Sequence, residues 1–274
     1  MMSFLRVACV QITAGREVAA NVATASGLIR QAAATGARLI ATPEMTSLME
    51  RDKRAMRPKI RTEQDDSALA AFRDLAAELG VHLLIGSLPI DFGGDRLANR
   101  GFLIDPQGGI KARYDKIHMF DVDLPQGESF RESASYQPGG SAVLADVEGA
   151  RLGLSICYDL RFAPLYRRLA QAGADILAVP AAFTRITGEA HWHVLLRARA
   201  IETGSFVIAP GQTGVHEDGR QTFGHSLIID PWGTVLADAG TEVGIVTADL
   251  DLAAVQGARG KIPALQHDRA FQGP

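Results

Sequence analysis

The chain has 274 residues, of which 47% are hydrophobic and 22% charged, a balance typical of globular proteins that makes one compact domain over residues 1–274 the expectation. With 28 Lys plus Arg against 31 Asp plus Glu the net charge is −3, so nothing electrostatic recommends a nucleic acid or an anionic membrane as partner. Two cysteines, Cys9 and Cys157, are too few for a disulfide framework and lack zinc-ribbon spacing, which fits a reducing cytoplasm and a free thiol at Cys157.

Residues 5–12 read as a buried strand. The single Arg6 in this short apolar run, with no longer apolar region or cleavage site, argues against a signal peptide, and no stretch of the chain reaches membrane-spanning length. Val18, Val22, Ala25, Ile29 and Ala32 then recur at helical spacing until Gly36 stops the helix. Residues 39–42 form the next strand, which Pro43 ends, delivering Glu44 at a carboxyl end where open α/β sheets gather their ligands. A polar loop over 50–66 leads to a helix capped by Asp66 or Ser67 and stopped by Gly80. A strand over 81–88 follows, then a hairpin of 101–104 and 110–114 around Asp105-Pro106-Gln107-Gly108 that ends at Lys116; residues 117–140 read as mostly loop.

The second half repeats the plan. Residues 152–156 are a strand, 163–172 a helix, and Gly173-Ala174-Asp175-Ile176-Leu177-Ala178-Val179-Pro180 echoes Gly36-Ala37-Arg38-Leu39-Ile40-Ala41-Thr42-Pro43. A helix over 193–203, a strand over 206–209 and a hairpin over 226–237 complete the echo. An internal duplication is the inference, each half supplying one mixed sheet with helices outside it and the two sheets packing face to face. The expected fold is α/β, a four-layer α-β-β-α sandwich. Glu44 has Ala181 as its counterpart, so the halves differ where chemistry is expected.

Cys157 follows an apolar strand and precedes Tyr158-Asp159-Leu160-Arg161-Phe162 and a helix, the setting that holds a nucleophile up at a sheet edge. Cys9, in mid-strand without polar neighbours, reads as an inert structural thiol. A free thiol has a pKa of about 8.5, so Cys157 needs a base or a cation nearby to attack at neutral pH. Glu44 and Lys116, both at predicted strand ends, are the candidates.

Thr42-Pro43-Glu44, Tyr114-Asp115-Lys116-Ile117-His118 and Cys157-Tyr158-Asp159-Leu160-Arg161-Phe162 together resemble, in order and spacing, the three motif blocks of the nitrilase superfamily of carbon-nitrogen hydrolases. The resemblance continues through His191-Trp192, Arg197-Ala198-Arg199-Ala200-Ile201-Glu202, Gly224-His225-Ser226 and Asp230-Pro231-Trp232-Gly233, nearly the whole chain. It implies that Cys157 is the nucleophile, Glu44 the general base and Lys116 the cation that stabilises the tetrahedral intermediate. It also implies a second glutamate, for which Glu132 matches best and Glu128 competes. Glu44 then needs a pKa raised by burial and by the like charge of Glu132, with Lys116 opposing that rise. No metal or other cofactor is implied.

Phe120-Asp121-Val122-Asp123-Leu124-Pro125 and the cysteine block look most like the omega-amidase and deaminated glutathione amidase branch. That implies release of ammonia from the amide of a small 2-oxo acid through a thioester. Tyr158, Arg161, Phe183 and Thr184 are the expected substrate contacts, Arg161 as a fork for a carboxylate or else paired with Asp159 or Glu202. His193, where relatives commonly have an acidic residue, and Thr203, where asparagine is frequent, put substrate shape in doubt. The same resemblance implies a homodimer or higher homo-oligomer stacked through helices. Rival readings are a metal site using His118, His191, His193 and His225, a papain-like pair of Cys157 with His191 or His225, nitrile or N-carbamoyl hydrolysis on the same fold, and a non-enzymatic binding subunit.

Overall fold

Alternation along β1 (Phe4–Gln11) decides the architecture. Leu5, Val7 and Cys9 face one side and Ala8 and Val10 the other, all five are buried, and so the strand has no solvent face. The computed structural model, which describes residues 4–124 and 129–273, places β1 inside a sheet with β2 (Leu39–Ala41), β3 (His82–Gly93), β4 (Arg96–Ile104) and β5 (Ile110–Asp115). Pro125 and Glu128 lie outside the described residues. Strands β1, β2 and β3 run parallel, and β4 and β5 continue as antiparallel neighbours.

One face of this sheet is covered by α1 (Val18–Ala34) and, beyond the single turn α2 (Lys53–Met56), by α3 (Ser67–Leu79). Ala25, Ile29 and Ala32 of α1 and Leu69, Phe72 and Ala76 of α3 pack there against Ala8, Val10 and Ile40. Asp66 caps α3 by accepting from the Leu69 amide at 2.8 Å, and Gly80 ends it at φ 64°, a left-handed conformation that glycine takes without steric cost.

After a small hairpin of β6 (Asp121–Asp123) and β7 (Ser129–Arg131), the chain builds a second sheet. Its members are β8 (Val143–Val147), β9 (Ala150–Leu154), β10 (Ile176–Ala178), β11 (Phe206–Ala209) and, beyond the hairpin of β12 (Thr213–Val215) and β13 (Gln221–Phe223), β14 (Leu227–Ile229) and β15 (Val235–Asp238). Helices α4 (Ala163–Gln171) and α5 (Arg185–Thr203) cover it through Tyr166, Leu169, Trp192 and Leu196. The inner faces of the two sheets share one core: Val7, Cys9, Leu39 and Ala41 meet Leu152, Leu154, Ile176 and Ala178, and the Cys9 sulfur sits 3.8 Å from the Leu227 carbonyl oxygen. The layers are therefore helix, sheet, sheet, helix.

Both sheets have the same order, an antiparallel outer strand, three parallel strands and an antiparallel pair. The outer strand of the first is β16 (Gly244–Asp251), which crosses from the second half before α6 (Ala253–Lys261). The sequence pattern gives no strand for β8, β12, β13 or β16 and no helix for α2 or α6, and the β6–β7 hairpin reads as loop. The same pattern starts α5 at residue 193. The helix starts at Arg185, its first turns masked by Thr187 and Gly188, and Gly188 is required because a Cβ there would lie 2.3 Å from the Phe223 side chain.

Gly86 in β3 supports the junction between the halves, since a Cβ would lie 2.2 Å from the Thr42 carbonyl oxygen and 2.4 Å from the Pro180 side chain. Gly27, exposed on α1, has nothing within 4 Å of the same position. Gly86→Ala should therefore lower unfolding free energy in urea by ~1–3 kcal/mol through overpacking, while Gly27→Ala raises it by ~0.5–1 kcal/mol through reduced unfolded-state entropy. Equal effects from the two substitutions contradict this account of the junction.

Candidate active site

Strand ends from both sheets converge on one cavity. Cys157 lies just past β9 with φ 49°, a left-handed conformation that costs a non-glycine residue ~1–3 kcal/mol and persists only where neighbours impose it. The neighbours here are identifiable. The Cys157 amide donates to the Pro180 carbonyl at 2.9 Å, and the fully buried Asp159 carboxylate accepts from the amides of Ile156 (2.9 Å) and His118 (3.0 Å) and from the Tyr114 hydroxyl (2.7 Å). His118 Nδ1 lies 2.6 Å from the same carboxylate, and its ring stacks on Phe162 at 3.5 Å.

Glu44 follows β2 and Pro43. Its Oε2 accepts from the Ala182 amide at 2.8 Å, and its Oε1 from Lys116 Nζ at 2.9 Å and Asn99 Nδ2 at 2.9 Å. Gln212 holds the Glu44 backbone carbonyl at 3.0 Å. Lys116, next after β5, is 2% exposed and also reaches Glu132 Oε1 and Oε2 at 3.1 and 2.9 Å. Glu132 is oriented by the Phe120 amide (2.7 Å) and by Asn99 (3.1 Å). Sulfur, ammonium and two carboxylates thus line one cavity.

The protonation pattern corrects one expectation. Burial pushes the Glu44 pKa up and is the largest single effect, but the charge of Lys116 and the hydrogen bonds from Lys116, Cys157 and Asn99 together outweigh it and leave the carboxyl below its ordinary value. Glu44 is therefore ionised, whereas the role expected of it from the sequence needs a raised pKa. Burial, then the Glu44 charge, holds the Cys157 thiol well above its usual value despite Lys116. Burial disfavours the Lys116 ammonium, yet the charges of Glu132 and Glu44 prevail and raise its pKa well above normal. The resting site is a neutral thiol beside an ionised Glu44 and a charged Lys116.

The cavity has a volume of about 420 Å³, within the ~300–1,000 Å³ usual for small-molecule sites. Tyr158, Phe183 and Thr184 line it, as the sequence suggested, together with Phe120 and Phe130. Arg161 is not among the lining residues. Its guanidinium lies over the Tyr158 and Phe183 rings, 5.8 and 5.2 Å from their centroids, with Nη1 3.3 Å from His191 Nδ1. Neither alternative partner suggested for it fits: Asp159 is held in the turn, and Glu202 pairs with Arg199 at 2.9 Å.

The cations on the cavity wall besides Lys116 are Arg51, Lys53, Arg131 and Arg220, none of which the sequence pointed to. Asn99 and the Asp159 anchor were missed as well, although Asp159 stands within the cysteine block. Of the four histidines of the rival metal reading, His118 serves Asp159 and His191 meets Arg161; only His193 and His225 come together, at Asp238, and none of the four lines the cavity.

Residues 6–260 match the carbon-nitrogen hydrolase family model. The chain is similar to the deaminated glutathione amidase of Yersinia enterocolitica, 38% identical over 98% of this chain and 94% of that protein, and to human omega-amidase NIT2, 35% identical over 98% and 96%. Its fold superposes on the C. elegans NitFhit protein with a TM-score of 0.90 at 33% identity, covering 98% of this chain and 66% of that one. The chain belongs to the carbon-nitrogen hydrolase family, the nitrilase superfamily, and is a hydrolase acting on carbon-nitrogen bonds other than peptide bonds.

Proposed function

We propose that this chain hydrolyses the amide of a small 2-oxo acid through a thioester on Cys157. The observation that carries the reading is that Cys157 lines one cavity with Glu44 and Lys116, where Lys116 and the Ala182 amide hold the ionised Glu44 carboxylate in place. Glu44 takes the thiol proton as sulfur bonds to the amide carbon, and the carbonyl oxygen gains the negative charge. The Lys116 ammonium and the Tyr158 backbone N–H are the donors for that oxyanion, a type of contact whose loss costs ~2.7–4 kcal/mol. Collapse breaks the carbon-nitrogen bond, and the departing amine takes the proton from Glu44. Water, deprotonated by Glu44, then attacks the thioester carbonyl and the thiol is restored.

The names of the relatives fit a common acyl half. In an omega-amide the leaving group is ammonia; in deaminated glutathione the oxo-acyl group is joined to a dipeptide. Arg220 is the group on the cavity wall best suited to a substrate carboxylate: it is largely buried, its Nε has no hydrogen-bond partner, and Asp218 is 3.5 Å from its Nη2. The ring pairs Phe120 with Phe130 and Phe120 with Tyr158, both with centroids 5.1 Å apart, form an apolar part of the same cavity.

Three outcomes test this reading. Glu44→Gln should lower kcat/KM by ~10²–10⁴-fold and Cys157→Ala abolish turnover, with alkylation of the thiol inactivating the enzyme and strong chelation leaving it active. Substantial activity in the Glu44 variant favours a papain-like pair instead. Because the Glu44 carboxyl lies below the ordinary glutamate value, the acid limb of kcat/KM should fall below about pH 4.3, and no thiol-type rise should appear near pH 8.5. A rate that climbs through that alkaline range places the reacting proton elsewhere.

Arg220→Met should raise KM for carboxylate-bearing amides by ~10–100-fold, the worth of one charge-assisted hydrogen bond of ~1.5–3 kcal/mol, while sparing neutral amides. Paired assays for ammonia and for released dipeptide then identify the leaving group. On the same reading the chain forms a homodimer through the helix layer, where Val194 and Ile201 of α5 stand exposed near Trp232; a monomer mass in solution excludes it.

A further inference from the structure

A second cluster of chemistry-bearing side chains lies away from the catalytic cavity. His193 projects from α5, His225 follows β13 and Asp238 ends β15. The Asp238 carboxylate lies between the two imidazoles, with Oδ2 3.1 Å from His193 Nε2 and Oδ1 2.9 Å from His225 Nδ1. One ligand atom from each residue falls within 4.8 Å of the other two. Zinc bonds of ~2.0–2.2 Å place tetrahedral donors roughly 3.2–3.6 Å apart, so only small side-chain shifts separate this arrangement from a coordination sphere.

The three donors are held before any ion arrives. The His225 amide donates to the Gly240 carbonyl at 2.6 Å and its carbonyl accepts from Trp192 Nε1 at 2.8 Å, which fixes a backbone at φ 51°. The Phe223 ring stacks on His225 at 4.5 Å and meets His193 edge-on at 5.9 Å, setting both ring planes. Asp238 Oδ1 also accepts from the Gly240 amide at 2.9 Å. Partners of this kind orient first-sphere ligands and are worth ~10–100-fold in metal affinity.

We propose that His193, His225 and Asp238 bind a divalent transition ion of the zinc type. Two imidazoles and one carboxylate match the borderline donor preference of that ion, and three protein ligands leave a fourth position for water or an added anion. Binding displaces the protons that now link the imidazoles to Asp238, and it ties α5 directly to the end of β15. None of the three lines the catalytic cavity, so the ion is separate from the amide chemistry.

The test uses the full chain, stripped with chelator and alkylated at the cysteine so that Cys157 cannot compete. Calorimetric titration with zinc chloride should give one equivalent per chain, and cobalt(II) should give the visible absorption of a tetrahedral N/O site. His193→Ala and, independently, Asp238→Asn should each weaken zinc binding by at least ~10–100-fold, with far-UV circular dichroism and the amidase rate of the unalkylated proteins unchanged. Zinc should raise the melting temperature of the parent and not of either variant. Absence of binding by the parent, or undiminished binding by both variants, overturns the proposal.

Discussion

A single buried ammonium governs the catalytic end of this molecule. Lys116 is almost completely excluded from water and is tolerated there because Glu44 and Glu132 each lie within 2.9 Å of its nitrogen. Breaking a buried pair of this kind costs ~3–5 kcal/mol, so the three side chains are bound into one arrangement. The same contact decides where protons reside. Lys116 keeps Glu44 ionised against the effect of burial, and burial together with the ionised Glu44 keeps the Cys157 thiol protonated. On the proposed mechanism the thiol is held in its unreactive form until Glu44 takes its proton, and charge moves only when a carbonyl carbon arrives to accept the sulfur. A preformed thiolate would instead need a cation left free for it, whereas here the nearest one is engaged by two carboxylates.

Topology explains why these groups meet. Parallel strands bring their carboxyl ends to one edge, and ligands gather there in α/β sheets. Two sheets packed face to face bring two such edges together, Glu44 leaving β2 and Cys157 leaving β9. The first half supplies Glu44, Lys116, Asn99 and Glu132, while the second supplies Cys157 and the Ala182 amide that grips Glu44. The halves are locked at this edge by Gly86, whose missing side chain lets Pro43 and Pro180 close over β3, and by Gln212, which donates to the Glu44 backbone. Backbone strain at Cys157 is sustained by the same packing, through Pro180 and the several bonds to Asp159.

What could be read from the sequence was what local chemistry encodes. Pro43 ending a strand, Asp66 and Gly80 bounding α3, the apolar alternation of β1 and the repeated Gly-Ala…Pro segment all report on neighbours a few residues away, and they located Glu44, Lys116 and Cys157 correctly at strand ends. Strand β16 carried no comparable signal because most of its residues are only half-buried, and its partner β1 lies at the other end of the chain. Arg161 drew attention by its nearness to Cys157, yet its guanidinium is held over the Tyr158 and Phe183 rings, while Arg220 reaches the cavity from the distant hairpin of β12 and β13. The direction of the Glu44 shift was out of reach for another reason. It is the balance of burial against three favourable partners, and a sequence names the charges without giving their distances.

The two clusters of the second half are mechanically close even though they share no residue. Phe223 stacks on His225, its amide donates to the Phe183 carbonyl at 3.0 Å, and its ring presses on the helix at Gly188. Phe183 and Thr184 form part of the cavity wall, and Thr184 precedes the first turn of α5, from which His193 projects further along. A short segment of β13 therefore touches both the donor cluster and the wall that receives substrate. Close packing allows little independent movement between such neighbours, so the positions of Phe223, Phe183 and Gly188 are set together. Glu44 is tied to the same segment, because the Ala182 amide, one residue before Phe183, donates to its carboxylate at 2.8 Å, while Lys116 holds the other oxygen from the first sheet.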